Sequence, residues 1–261
     1  MILPATYQNG FAPRDGQPLY PSLWRGCVGA WAPCLGPTGL TLRDWSGFGN
    51  HGTLTNLTAA NCWQISEGRY SASLASASTN RILCQKPVLS GTGNFTIAAF
   101  VNPLSLTGTI NEFYIAGNYG VANLTGVEFY GFNGKLGCYV SSGATFFSTA
   151  TLATGVLSHV AATRLNGTIN LYINGVFDSS ATRAGSIGTS LDWCIGNGPD
   201  YTAGYGGKID SVFTCDRALS DLEIRRLASR RGIAYEMAPR RRSSVQVTTN
   251  RRRRIIIGGN R

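Results

Sequence analysis

The sequence predicts an all-β protein, a sandwich of antiparallel sheets, and two observations carry that prediction. Charged residues make up 14% of the 261 residues, well below the quarter that is usual for globular chains. The polar surface therefore comes from Ser, Thr, Asn and Gly, which are typical of strands and their turns. The dipeptide Asn-Gly also separates strand-like runs three times, and it favours the type I′ turn of a β-hairpin.

The individual strands follow from these turns. The turns are Asn133-Gly134, Asn166-Gly167 and Asn174-Gly175. The strands predicted around and before them cover residues 95–101, 127–132, 135–140, 159–165 and 168–173. The first of these strands is expected to end at Asn102-Pro103. Successive hairpins of this kind imply an antiparallel meander.

One short helix is predicted near the C-terminus. Ser220 and Glu223 form a capping box, in which each side chain bonds the backbone N–H of the other residue. Leu219 and Ile224 stand where a hydrophobic staple is expected, and Gly232 is suited to end the helix. The apolar stripe of this helix should pack against the sandwich.

Charge divides the chain into a neutral body and a basic arm. Residues 1–224 hold 11 basic and 12 acidic residues, a net charge of −1, whereas residues 225–261 hold 12 Arg and one Glu, a net charge of +11. We expect three parts: an extended N-terminal segment over residues 1–26, the sandwich with its helix over 27–232, and an extended Arg-rich arm over 233–261.

The arm is expected to dock the protein onto an anionic partner. Its basic residues are all Arg, which favours fixed, bidentate contacts to carboxylates or phosphates. Strand-forming Val245, Val247 and residues 255–257, with no interleaved aromatic residues, favour an acidic protein partner and leave nucleic acid as the second alternative. The predicted docking residues are Arg225, Arg226, Arg230, Arg231, Arg240, Arg241, Arg242, Arg251, Arg252, Arg253 and Arg254.

Four segments in order resemble the LamG-like jelly-roll domain of the concanavalin A-like lectin/glucanase superfamily. They are residues 44–54 (DWSGFGNHGTL), 94–103 (NFTIAAFVNP), 159–176 (HVAATRLNGTINLYINGV) and 207–227 (GKIDSVFTCDRALSDLEIRRL). The resemblance covers about 200 residues and implies two packed antiparallel sheets in a jelly roll. The flanking segments resemble those of uncharacterised phage-associated LamG-like proteins, which implies a virion protein.

The sequence gives no support for catalysis. In the superfamily that this chain resembles, the glucanase branch carries its catalytic carboxylates in an ExDxxE motif on one strand. This chain has no such segment. Glu112 and Glu128, each followed by Phe-Tyr, are the one strand-like carboxylate pair, and we expect both to be ordinary solvent-facing residues. His51 and His159 are the only histidines, which excludes an HExxH zinc motif. His159 is expected to be structural.

The resemblance also implies a calcium site, because LamG-like domains often hold Ca²⁺ through Asp, Asn and backbone oxygens. Asp44 and Asn50 stand in the matching loop, and Asp210 follows the matching Gly-Lys-Ile. Asp44 has an alternative role as the anchor of its own turn, through the amides of Ser46 and Gly47.

A glycan site is the other candidate, because sugars bind to aromatic platforms with neighbouring polar groups. Residues 196–207 form a Gly-rich loop that carries such groups, and Trp193 precedes it. The candidate residues are Trp193, Asn197, Asp200, Tyr201 and Tyr205. The alternative is an ordinary long loop whose tyrosines pack on the edge of the sheet.

Cysteines and terminal patterns bear on where the protein works. The seven cysteines are odd in number and contain no CxxC pair, so we expect reduced, buried thiols. No apolar run reaches the length of a membrane helix, and the first residues lack a secretory pattern. We expect a virion protein made in the host cytoplasm, with no membrane partner.

Three functions remain open at this point. The first is a non-enzymatic virion structural or decoration protein, present in many copies, that displays the sandwich and is anchored by the arm. The second is a glycan-binding adhesion module of a phage tail, fibre or cell surface. The third is nucleic-acid binding through the arm, whose affinity would fall steeply with salt.

Overall fold

A computed structural model describes residues 18–36, 39–75, 79–84, 88–104, 112–120, 125–141, 146–200 and 204–236. The strands, numbered in chain order, are β1 (Cys27–Trp31), β2 (Thr41–Leu42), β3 (Gly52–Thr55), β4 (Trp63–Ser66), β5 (Arg69–Leu74), β6 (Arg81–Cys84), β7 (Phe95–Pro103), β8 (Glu112–Gly117), β9 (Val127–Phe132), β10 (Lys135–Val140), β11 (Phe146–Thr151), β12 (Ser158–Leu165), β13 (Thr168–Ile173), β14 (Val176–Thr182), β15 (Trp193–Ile195) and β16 (Gly207–Cys215). The helices are α1 (Pro21–Trp24), α2 (Ala59–Cys62) and α3 (Asp221–Ala228). Short 3-10 turns cover Pro33–Leu35 and Ile233–Tyr235.

The strands form two antiparallel sheets. The first sheet has the order β14-β13-β12-β7-β16-β5-β4, with β1 also paired to β16. The second has the order β11-β10-β9-β8-β15-β6-β3-β2. Neighbours in space are often distant in sequence, as when β16 lies between β7 and β5. The predicted all-β, two-sheet jelly-roll sandwich is therefore confirmed.

The predicted hairpins fold as their turn residues require. Strands β9 and β10 have the predicted bounds on either side of Asn133-Gly134, and both turn residues have positive φ, 50° and 76°. The turns at Asn166-Gly167 and Asn174-Gly175 repeat this geometry. Strand β7 runs two residues further than predicted, because Pro103 still lies opposite Gly207 of β16.

The main core lies between the two sheets. It contains the inward side chains of both, and Trp31 stacks on Trp193 across it with ring centroids 6.4 Å apart. Burial of these aromatic and aliphatic side chains is the dominant stabilising contribution to a fold of this kind. All seven cysteines are free and six are buried, as the sequence predicted.

A second apolar layer covers the outer face of the first sheet. Helix α3 begins at the predicted capping box, and Leu219 and Ile224 are both buried in this layer. Gly232 does not end the helix: Ser229 is the C-cap, and Gly232, with φ of 74°, starts the next 3-10 turn. The turn and helix α1 complete the layer.

The N-terminal segment differs from the extended form predicted for residues 1–26. Residues 21–24 form helix α1, because Pro21 favours the first turn of a helix and Leu23 and Trp24 gain a buried position. The Trp24 indole N–H donates to the Ala234 carbonyl at 2.7 Å, which joins the two ends of the described body. Residues 1–17 of that segment lie outside the described residues.

Candidate functional site

The outer face of the second sheet carries a set of aromatic side chains. Along β9, Val127 and Phe129 point into the main core, so the alternate residues Glu128, Tyr130 and Phe132 lie on the opposite face. The alternation on β10 places Tyr139, the direct partner of Glu128, on that same face. This face therefore carries three aromatic side chains beside Glu128, where an ordinary solvent face would be polar.

The aromatic side chains make contact with one another in two groups. Phe147 of β11 packs against Tyr130 and Phe132, with centroid distances of 5.8 and 5.7 Å. Tyr119 meets the ring of Tyr139 at 4.6 Å. We call these five residues, Tyr119, Tyr130, Phe132, Tyr139 and Phe147, the aromatic strip. Tyr130 is buried, and the other four are partly or fully accessible.

Acidic groups accompany the strip. Glu128 is 6% exposed beside Tyr139, and the Asp200 carboxylate lies close to Gly120. Partial burial, the Tyr139 ring and the nearby carboxylates of Glu128 and Asp200 raise the pKa of Tyr119 to about 12. At neutral pH its phenol is therefore protonated and can donate a hydrogen bond, while the carboxylates can only accept. Rings, donors and acceptors together can hold a polyhydroxylated ligand, and the negative charge disfavours an anionic one.

The loop predicted to bind glycans is built differently from that prediction. Trp193 and Tyr205 are fully buried in the main core, where Tyr205 packs on Phe113 at 5.7 Å. Asn197 is also fully buried, and its side-chain oxygen accepts from the Gly198 amide at 2.8 Å. Trp193 and Tyr205 are corrected to structural roles because a buried ring offers no platform to a sugar, and Asn197 is corrected because its buried side chain bonds its own turn. Asp200 is partly exposed beside the strip, and Tyr201 lies outside the described residues.

The structure resolves the role of Asp44 in favour of the turn anchor. Its Oδ1 accepts from the amides of Ala30 and Ser46 at 3.0 and 2.8 Å, and its Oδ2 accepts from the Ser46 hydroxyl and the Asn50 amide at 2.7 and 2.9 Å. Asn50 in turn donates its side-chain N–H to the Val28 carbonyl at 3.1 Å. Both carboxylate oxygens of Asp44 accept hydrogen bonds within this loop, which favours the turn-anchor role, and the calcium site at Asp44 and Asn50 stays a prediction.

Asp210, the third calcium candidate, belongs to a different contact. Its Oδ1 accepts from the amides of Cys34 and Ser211 at 3.2 and 2.6 Å, and its Oδ2 lies 3.6 Å from a guanidinium nitrogen of Arg231. Burial raises the pKa of Asp210 to about 6 despite these partners. Across the described ranges, no group of three His, Cys, Asp or Glu side chains is placed to hold a metal ion.

The two strand glutamates lie at distant backbone positions. Glu112 lies opposite Phe132 and Glu128 lies opposite Gly117, so their positions differ by four residues along β9. That backbone offset is about 13 Å along the strand. Glu128 is also buried, at 6% exposure, rather than solvent-facing as predicted.

The histidines have structural contacts. His51 accepts the Asp44 amide at its Nδ1, 3.0 Å away. His159 is buried with its ring 5.0 Å from that of Phe100, and burial lowers its pKa to about 3. A neutral imidazole packed on a phenyl ring agrees with the structural role expected for His159.

Three of the four described docking arginines are engaged within the body. Arg231 is 5% exposed and donates to the Ser66 carbonyl and to the Ser71 hydroxyl, so it is corrected to a structural residue. Arg230 forms an ion pair with Glu236, and Arg226 lies 4.7 Å above the ring of Tyr20. Arg225 is exposed on α3. The other seven predicted docking arginines lie outside the described residues.

The aromatic strip was not among the predicted sites, although the sequence carries a signal for it. The alternation of side chains along the two strands of the Asn133-Gly134 hairpin puts Glu128, Tyr130 and Tyr139 on one face and the core residues on the other. Phe147 could not be added in this way, because its place beside Tyr130 depends on the pairing of β11 with β10.

Two packed antiparallel sheets define a jelly-roll sandwich. The chain belongs to the concanavalin A-like lectin/glucanase superfamily, whose Laminin_G_3 family model matches residues 76–225.

Solved structures with the same fold include a domain in complex with a sugar and a domain named for binding. Domain 4 of AbnA, a GH43 extracellular arabinanase from Geobacillus stearothermophilus, solved with arabinotriose, matches with a TM-score of 0.62 and 17% identity over 82% of this chain and 100% of that chain. The binding domain of Paraclostridial Mosquitocidal Protein 1 matches with a TM-score of 0.60 and 17% identity over 79% of this chain and 52% of that chain. Identities this low show a shared fold.

An enzyme shares the fold as well. Trypanosoma rangeli sialidase, in complex with the inhibitor DANA, matches with a TM-score of 0.54 and 13% identity over 77% of this chain and 32% of that chain. No curated protein sequence matches the chain. Within the described part of the chain, no helix has the length and apolar character needed to cross a membrane.

Proposed function

We propose that the protein is a non-catalytic recognition module that binds uncharged glycans on the aromatic strip. The observation that carries this proposal is the row of accessible rings on an outer sheet face, where a solvated sheet would carry polar side chains. Carbon-bound hydrogens of a sugar pack on such rings, and the hydroxyls bond to phenols and carboxylates. The arabinotriose bound by the AbnA domain is consistent with this use of the fold.

Calorimetric titration of the full chain with arabinotriose and xylotriose tests the proposal. Tyr139→Ala and Phe147→Ala are each expected to weaken binding about tenfold, because each removes one stacking surface. Phe177→Ala is the matched control, since Phe177 is 51% exposed on β14 of the other sheet. Equal losses in all three variants, or no binding by the native chain, would refute the strip as the site.

We further propose that the predicted arm, whose first residues 233–236 belong to the described body, anchors the sandwich, in many copies, to a viral particle as a structural or decoration component. The segregation of charge supports this, as does the resemblance of the flanks to phage-associated proteins. The Leu19 amide also donates to the Glu236 carbonyl at 2.6 Å, so both ends of the described body meet on the outer face of the first sheet. Anchoring from that face would leave the aromatic strip, on the other sheet, exposed.

Co-sedimentation with intact virus particles tests this second proposal. A full chain with Arg240–242 and Arg251–254 changed to Gln should remain in the supernatant while the native chain pellets. Truncation at residue 224 is unsuitable, because it removes buried Leu227, Arg231 and Ile233. Equal pelleting of both chains would refute arm docking, and arm-dependent binding to free DNA that disappears in salt would favour nucleic acid as the partner.

A further inference from the structure

A groove of about 380 Å³ opens at one rim of the sandwich, away from the ring contacts of the strip. It lies where β3 and β5 end, where β6 begins and where α2 crosses between the sheets. Its polar lining consists of Asn56, Thr58, Asn61, Ser73 and Asn80. None of the described residues that line it carries an ionisable side chain.

The composition of this lining selects for hydroxyl groups. Each amide and hydroxyl can both donate and accept, which matches the hydroxyls of a sugar, whereas an ion would find no countercharge. Leu57, Leu74 and Leu104 add an apolar surface for the ring carbons. The volume falls within the range of small-molecule sites, about 300–1,000 Å³.

Parts of the lining are fixed before any ligand arrives. The Asn56 side chain donates to the Thr79 carbonyl at 3.1 Å from a left-handed backbone position, with φ of 55°. The Thr58 hydroxyl accepts a hydrogen bond from the backbone N–H of Asn61 at 3.2 Å and so caps the start of α2. Leu74 is 3% exposed and belongs to the main core. Such preorganisation lowers the entropic cost of binding.

The groove and the strip lie on two sides of one loop. Arg81, which follows Asn80, donates to the Gly198 carbonyl at 3.2 Å, and Leu104 donates its amide to Gly206 at 2.9 Å. On the other side, Gly120, which follows Tyr119, lies against Asp200. The described parts of this loop, residues 196–200 and 204–206, therefore contact residues that adjoin both surfaces.

We propose that this groove, which we call the amide groove, is a second binding site for one uncharged saccharide unit. The class of ligand rests on the proposed glycan function, whereas the existence of the groove does not. Neutral sugars are favoured over anionic ones because none of the described lining residues is a cation, and none of those residues is aromatic.

Side-chain amide signals, which report on the groove, and aromatic-ring signals, which report on the strip, test this inference when NMR spectra of the full chain are followed during titration with arabinotriose, xylotriose and trigalacturonate. We expect the neutral trisaccharides to shift the Asn56, Asn61 and Asn80 signals, and to do so equally in a Tyr139→Ala/Phe147→Ala double variant. Asn61→Ala and Asn80→Ala should each weaken the groove affinity about tenfold, the equivalent of one lost hydrogen bond. Asn170→Ala, on β13 of the first sheet, is the control.

The outcomes separate the two proposals. Shifts confined to the strip would overturn the amide groove and leave the strip proposal standing. Shifts confined to the groove would support the groove and refute the strip. Groove binding of trigalacturonate as tight as that of the neutral sugars would overturn the assigned ligand class, and unchanged groove signals with every sugar would overturn the site.

Discussion

Arg231 and Asp210 face each other at 3.6 Å, Nη1 to Oδ2, beneath the segment that follows α3. Both are almost completely buried, at 5% and 0% exposure. The guanidinium also donates to the Glu67 carbonyl at 3.0 Å, so this pair ties the last described turn of the chain to the β4–β5 hairpin of the first sheet. A residue expected to reach toward a partner thus holds the domain together.

Removal of this cation should destabilise the fold. Arg231→Met leaves the Asp210 carboxylate buried without its countercharge, and we expect a loss of about 3–5 kcal/mol in the free energy of unfolding. Urea denaturation measures this free energy of unfolding. Arg225→Met, an exposed change on α3, should stay within about 0.5 kcal/mol of the native chain. Similar midpoints for both variants would contradict the structural role of Arg231.

Buried His159 predicts a loss of stability in acid. Its pKa is about 3 in the fold and 6.5 in the unfolded chain, so the unfolded state binds the extra proton between these values. The free energy of unfolding therefore rises with pH from 3 to 6.5, by about 1.4 kcal/mol per unit from this group. Asp210 has the opposite effect on this pH dependence. Its pKa is raised from 3.8 to about 6, so its contribution to the free energy of unfolding falls as the pH rises through this range.

Replacement of His159 by Asn should remove the histidine contribution to the pH dependence of stability and leave that of Asp210. Urea unfolding at pH 4, 5 and 6 gives the slope of the free energy of unfolding against pH. In the variant this slope is expected to be lower than in the native chain by about 1.4 kcal/mol per pH unit, the contribution of one proton. Asp210→Asn should raise the slope by a similar amount over the same range. A His159→Asn slope identical to the native one would mean that this imidazole is not buried as a neutral group.

Tyr205 offers a test of the corrected loop. Tyr205→Ala should cost about 3–5 kcal/mol, because it empties a buried site against Phe113. Tyr205→Phe keeps the ring and loses the hydroxyl, which bonds the Lys208 carbonyl at 3.4 Å and the Asn102 backbone, so it should cost only about 1 kcal/mol. Chemical denaturation measures both, and trisaccharide binding by the folded Phe variant should match that of the native chain. A selective binding defect in Tyr205→Phe would restore Tyr205 to the glycan site.

Gly131 is expected to tolerate no side chain. A Cβ there would lie 1.9 Å from the Phe113 ring, which covers this position from the neighbouring strand. Gly131→Ala should cost at least the upper end of the usual overpacking range of about 1–3 kcal/mol. Gly155→Ala has open space and only a positive φ of 76°, so thermal unfolding should show a smaller loss. The reverse order would contradict the packing described.

Much of the local structure could be predicted because short-range chemistry decides it. The Asn133-Gly134 turn and the Ser220–Glu223 capping box depend on residues within a few positions, and both fold as expected. The alternation that separates Phe129 from Tyr130 is equally local. Helix α1 escaped prediction because four residues gain little from helix formation alone. Its stability comes from Trp24, whose ring packs on Phe213 and Tyr235, far along the chain.

The candidate sites divide in the same way. The sequence by itself determined the all-β class, the hairpins, the capped helix and the division of charge, because each rests on composition or on neighbours in the chain. Only the tertiary structure decided that Trp193 and Tyr205 are core residues, that Arg231 pairs with Asp210, and that Tyr119, Tyr139 and Phe147 share a face. Burial and long-range strand pairing are properties of the whole packed chain, and no local pattern encodes them.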